Sequence, residues 1–99
     1  MRVMLKVSIP VAAGNKGIKD GTLPRTMGAF IEQHRPEASY FVAEGGKRTA
    51  YFFFDLKDPA SIPSMAEPFF QNLDAAVECT PAMNAEDLKA GVERFARPS

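Results

Sequence analysis

The run SYFVAEGGKRTAYFFFDLK, residues 39–57, constrains this chain more than any other stretch. Ser39–Glu44 and Thr49–Lys57 are rich in aromatic and β-branched residues, which suit a pleated, half-buried surface. Gly45-Gly46 between them marks a tight turn, so the segment predicts a β-hairpin. Near the start, Arg2–Ile9 alternates strictly. Val3, Leu5, Val7 and Ile9 share one face, and Arg2, Met4, Lys6 and Ser8 share the other, the period of a half-buried strand stopped by Pro10.

Helical periodicity fills the gaps. Ala12–Gly21 carries three glycines and reads as a loop with at most one helical turn. Thr22 suits an N-cap, and Leu23, Met27, Phe30 and Ile31 form an apolar stripe that runs to about Arg35 and Pro36. Asp58-Pro59 predicts a second helix start, with Ile62, Met65 and Ala66 facing inward. Pro68 is expected to kink or end that helix near Glu67, leaving Phe69-Phe70 as a plug beside a strand over Ala75–Ala82. Asn84 should cap a last helix with Glu86 and Asp87 at its positive end and Leu88, Val92 and Phe95 as a buried stripe. Gly91 costs that helix about 1 kcal/mol against alanine, which suggests close packing there. The order β-α-β-β-α-β plus a helix predicts an α+β fold, a ferredoxin-like plait with a four-stranded antiparallel sheet, as one domain over residues 1–99.

Composition narrows the function classes. Twelve basic and twelve acidic residues give zero net charge, unlike a dedicated nucleic-acid binder. One cysteine, Cys79, and one histidine, His34, leave no disulfide framework, iron–sulfur cluster or standard zinc site. No cofactor or metal is expected, and no G-x-S-x-G, P-loop or Rossmann pattern occurs. Neither a signal peptide nor a membrane span is legible, so the expectation is a cytoplasmic protein without a membrane partner.

Function should reside on the sheet face that the helices leave open. If Phe52, Phe54 and Leu56 lie under the helices, Tyr51, Phe53 and Asp55 project from the other side, joined by Met4, Lys6, Ser8, Glu78 and Thr80. Such a face favours self-association as a homodimer. The charges permit it: residues 1–50 hold eight basic and four acidic groups, residues 51–99 four and eight. RNA binding fits poorly. Lys47, Ala50, Tyr51 and Phe54 match the third-strand motif of RNA-recognition domains, but Arg48 and Thr49 break it.

A small-molecule pocket between two sheets is the leading reading, with Lys6, Tyr51, Phe53, Asp55, Glu78 and Lys19 as ligand-binding candidates. Lys6, Glu78 and His34 are the catalytic candidates, since paired ionisable groups shift each other's pKa. His34, at a helix C-terminus, should be favoured as imidazolium by the dipole. Lys19, in a glycine-rich loop with Lys16, is a candidate for anion holding or for lidding the pocket mouth. Cys79 should be buried and inert. The alternative is a non-catalytic structural or protein-interaction homodimer.

Phe53–Met83, FFDLKDPASIPSMAEPFFQNLDAAVECTPAM, is laid out like the second half of muconolactone isomerases, with a strand closing in Phe-Asp, a short helix, a proline-aromatic segment and a strand closing in Thr-Pro. The layout resembles the dimeric α+β barrel superfamily, which implies two plaits packed sheet to sheet. The first half departs from those isomerases, so the resemblance implies no catalytic residue. Through MLKVSIP, GIKDGTLP, PEASYF, GKRTAYFFFDLKDP, AEPFF and TPAMNAEDLKAG the chain also resembles a family of short bacterial proteins, which supports the same fold and leaves the activity open.

Overall fold

The computed structural model describes residues 1–98. Its elements are β1 (Arg2–Ile9), α1 (Val11–Asp20), α2 (Thr22–His34), β2 (Ala38–Glu44), β3 (Lys47–Asp55), α3 (Ser61–Leu73), β4 (Ala76–Pro81) and α4 (Ala85–Ala96). The strands form one sheet in the order β2-β3-β1-β4, every neighbouring pair antiparallel. This is the ferredoxin-like plait: two split β-α-β units interleave, and the first crossover carries two helices.

Register sorts the side chains. β1 and β3 pair Val3 with Phe54, Leu5 with Phe52 and Val7 with Ala50, and all six are buried. Helices α2 and α3 lie on that face through Met27, Phe30, Met65, Phe69 and Leu73. The Phe30 ring centroid sits 4.5 Å from Phe52, 5.6 Å from Phe54 and 5.4 Å from Phe69, joining the sheet to both helices. The hairpin turn at Gly45 and Gly46 has φ of 61° and 77°, the two positive values that a type I′ turn requires.

Three expectations fail here for physical reasons. The predicted loop over Ala12–Gly21 is helix α1, because its glycines serve packing: Gly14 and Gly17 are the helix's buried positions. A Cβ on Gly17 would meet Leu23 at 3.0 Å and Leu73 at 3.1 Å, so only glycine lets α1 lie this close to α2 and α3. Thr22 is not an N-cap but the first residue of α2; Gly21, with φ of 82°, makes the corner, and the Thr22 N–H donates to Asp20 Oδ1 at 2.8 Å. Pro68 neither ends nor breaks α3, which continues to Leu73. A helix-interior proline costs about 3 kcal/mol. Met65, Phe69 and Leu73 are nearly fully buried, and each contributes about 1.5–3 kcal/mol by leaving water, which outweighs that cost.

The fourth correction concerns α4. Its start is as expected: the Asn84 side chain accepts from the Asp87 N–H at 2.8 Å, and Asp87 Oδ2 accepts from the Asn84 N–H at 3.0 Å, a reciprocal capping box. Its apolar stripe is not buried. Leu88, Val92 and Phe95 are 55%, 57% and 91% exposed, and no residue of α4 is buried. The helix layer already occupies the covered face, so α4 projects from the sheet. A radius of gyration of 16.0 Å, against about 13 Å for a globular chain of this length, and a long axis of 58 Å follow from this.

Gly17→Val should destabilise the chain by about 1–3 kcal/mol through overpacking against Leu23 and Leu73. Thermal unfolding by circular dichroism reads this as a midpoint lowered by at least several degrees. An unchanged midpoint would mean that α1 is not held against its neighbours.

Candidate functional site

The uncovered face is built by the same alternation that builds the core. Met4 pairs with Phe53 and Thr80, Lys6 with Tyr51 and Glu78, and Ser8 with Thr49 and Ala76. On the outer side of β3, the edge strand β2 adds Tyr40 opposite Tyr51 and Val42 opposite Thr49. Tyr40 and Val42 are exposed, while Met4, Tyr51 and Phe53 are half-buried by their neighbours on the same face.

Lys6 is the centre of the polar part. Its ammonium lies 2.5 Å from Glu44 Oε2 and 3.9 Å from Glu78 Oε2, and 5.9 Å from the centroid of the Tyr51 ring. The Tyr51 hydroxyl donates to Glu44 Oε1. One carboxylate thus accepts from both the ammonium and the phenol. The hydrogen bond from Lys6, and then that from Tyr51, hold Glu44 below the usual carboxylate range. Hydrogen bonding to Glu44 likewise raises Lys6 and Tyr51 above their ordinary values. At neutral pH the ammonium stays protonated, the carboxylate ionised and the phenol neutral. Such a cluster can orient and neutralise a ligand; at neutral pH Lys6 is not a base.

Glu44 was missed as a site residue. The signal was available: it ends β2 in the same alternation as Tyr40 and Val42, and the two-residue turn sets it opposite Lys47. Its reach to Lys6 and Tyr51 crosses β3 diagonally, which no pairwise reading of the hairpin supplies.

The remaining candidates are not brought together. Asp55 shares the face but lies opposite Arg2, four residues along β3 from Tyr51, or about 13 Å at strand rise. There it accepts from the Met1 amino group at 2.7 Å and from Lys57 at 3.0 Å, and these hold its pKa down to about 2, the N-terminus contributing most. Phe53 sits between the two ends of the face, opposite Met4. Lys19 is in the last turn of α1, on the helix-covered side of the sheet, and the loop imagined as a lid is helical.

His34 also lies on the helix-covered side, separated from Lys6 by the sheet. Its ring is 4.7 Å from Phe30 and 6.0 Å from Phe54. Burial against these rings lowers its pKa below 6.5, contrary to the dipole expectation, because desolvation of the imidazolium outweighs the field of the helix end. Cys79 is half-buried on the core side, and desolvation raises its thiol pKa, which disfavours the thiolate.

Lys6, Tyr51 and Glu78 line none of four well-formed hollows of the single chain. One of about 390 Å³ runs between α2 and α3 past Arg25, His34 and Asn72. Another, of about 460 Å³, is almost wholly apolar and opens under the free end of β2 beside Leu23, Met27 and Phe41. Among the described residues no group of three potential metal ligands converges, and no helix is long and apolar enough to cross a membrane.

Two titrations check these electrostatics. The Asp55 carboxyl, followed by NMR, should titrate near pH 2, well below the 3.9 of a free aspartate. Its pairing with the N-terminus and Lys57 therefore stabilises the fold above about pH 4 and is lost as pH falls toward 2. A midpoint near 3.9 would remove the pairing. Glu44→Gln should lower the Tyr51 pKa toward 10, seen as an earlier rise in tyrosinate absorbance; no change would show that the phenol is not held by Glu44. No protein-family model matches the chain, and no curated protein matches it.

Proposed function

We propose that the protein is a homodimer, open sheet face against open sheet face, that binds a small organic molecule between the two sheets beside Lys6, Glu44, Tyr51 and Glu78. The observation that carries this reading is a cluster of paired charges beside the apolar Met4 and Phe53 on the uncovered sheet face. Met4, Tyr40, Val42 and Phe53 supply self-complementary apolar surface around it, which a two-fold contact can bury. Once water is excluded, the Lys6 ammonium becomes a strong partner for a ligand carboxylate or other anion, and the aromatic rings suit a flat apolar body. The ionisation states favour binding over proton transfer, because neither Lys6 nor Tyr51 gives up its proton near neutrality. Cytoplasmic residence is part of the same reading, since the one cysteine is suited to reducing conditions.

The competing reading is a dimer whose sandwich is simply packed. It is favoured by the closed state of the cluster, in which Glu44 already satisfies both Lys6 and Tyr51. Native mass spectrometry of protein purified from its source separates the two: a mass above twice 10.8 kDa that Lys6→Met abolishes supports the ligand, and a bare dimer supports packing alone. Phe53→Lys should dissociate the dimer in sedimentation while circular dichroism stays unchanged. A wild-type species that stays at 10.8 kDa at micromolar concentration overturns both readings.

A further inference from the structure

Two apolar surfaces of this chain are uncovered among the described residues and lie far apart. The first is the stripe Leu88, Val92 and Phe95 on α4, continued by Met83, which is 71% exposed. A lone helix of 12 residues is marginal in water, so a capped helix with an unburied apolar stripe depends on packing for its persistence. Gly91, which costs the helix about 1 kcal/mol, flanks the stripe, and no group of its own chain lies within 4 Å of a Cβ built there. The second surface is the apolar hollow of about 460 Å³ under β2, floored by Ile9, Leu23 and Met27 and walled by Phe41, which is 58% exposed.

Within one chain the two sit at opposite corners of the sheet. α4 leaves at the Arg2 end, on the β4 side, and is pinned there: the Ala82 N–H donates to the Arg2 carbonyl at 3.1 Å, and Arg2 Nη1 donates to Asp87 Oδ2 at 2.9 Å. The hollow lies at the Ile9 end, on the β2 side. That is seven residues along β1, about 24 Å, and three strand spacings across, about 14 Å. In the structure the Arg2–Asp87 pair keeps Leu88 at the first corner, and α1, α2 and α3 cover the sheet between it and the hollow.

We infer that α4 is an exchange arm: it docks its Leu88–Val92–Phe95 face into the β2 hollow of a second copy of this chain, and receives the second copy's α4 in return. Phe95 alone offers about 150–200 Å² for burial. With Leu88, Val92 and Met83, each more than half exposed, the two arms and their receiving hollows remove about 1,000 Å² or slightly more from water, enough for a specific interface. The pairing is apolar rather than electrostatic: with Asp87 taken by Arg2, Glu86 and Glu93 balance Lys89 and Arg94, so no net charge of α4 opposes Arg48 on the rim of the hollow. A glycine beside the stripe lets the arm lie close to the receiving strand. The inference rests on the dimer proposed above but is carried by a different surface, and the two can fail separately.

The experiment is an oxidative cross-link in the full chain, with Phe41→Cys and Val92→Cys together in a Cys79→Ser background. The expected product is a covalent dimer joined between residues 41 and 92 of different chains. An intrachain disulfide overturns the exchange. Absence of a cross-link in a species that sediments as a dimer also overturns it, while leaving the sheet-face dimer standing. A monomeric wild type removes both. As a variant that leaves the core untouched, Val92→Glu should weaken dimerisation at least tenfold with the core spectrum unchanged; equal affinity overturns the arm.

Discussion

The packing of Phe30 against Phe52, Phe54 and Phe69 holds the two layers of this molecule together. One ring on α2 contacts two rings of β3 and one of α3, so its position fixes the height and lateral place of the helices over the sheet. Because β1 and β3 alternate with period two, committing Phe52 and Phe54 to these contacts commits Val3, Leu5 and Val7 to the same side. The opposite side then carries everything that is not core: Lys6, Tyr51, Phe53, Asp55 and, across the two edges, Glu44 and Glu78. The candidate site is thus a consequence of where the aromatic cluster sits.

Helix packing on the covered face also explains the shape. Proline inside α3 and two glycines in α1 would each argue against a helix in isolation. α3 forms because its inward residues gain more from burial than the backbone loses, and in α1 the glycines let the helix lie against α2 and α3. With α1, α2 and α3 in place, the apolar hollow left on that face lies under β2, at the corner opposite the end of β4. α4 keeps its cap but lies outside with its stripe exposed.

The polar cluster on the open face has its own internal logic. Glu44 accepts from Lys6 and Tyr51 together, and this fixes all three ionisation states around neutrality. Asp55 is fixed at the other end by the chain's own N-terminus. The face therefore has two separate charged ends with Met4 and Phe53 between them.

Local pattern alone determined the four strands, the hairpin turn, the N-cap at Asn84 and the division of β1 and β3 into faces, because period and cap chemistry are properties of neighbouring residues. Lys6, Tyr51 and Glu78 were legible as neighbours for the same reason. Glu44 was not, since its contacts run diagonally across a third strand, and neither was the separation of Asp55, Lys19 and His34, which depends on which end and which side of the sheet each reaches. The sequence read α4 as buried because its stripe is that of a buried helix. Only the tertiary structure decided otherwise: a helix buries its stripe where free apolar surface remains within reach, and in this fold the first three helices have already used it.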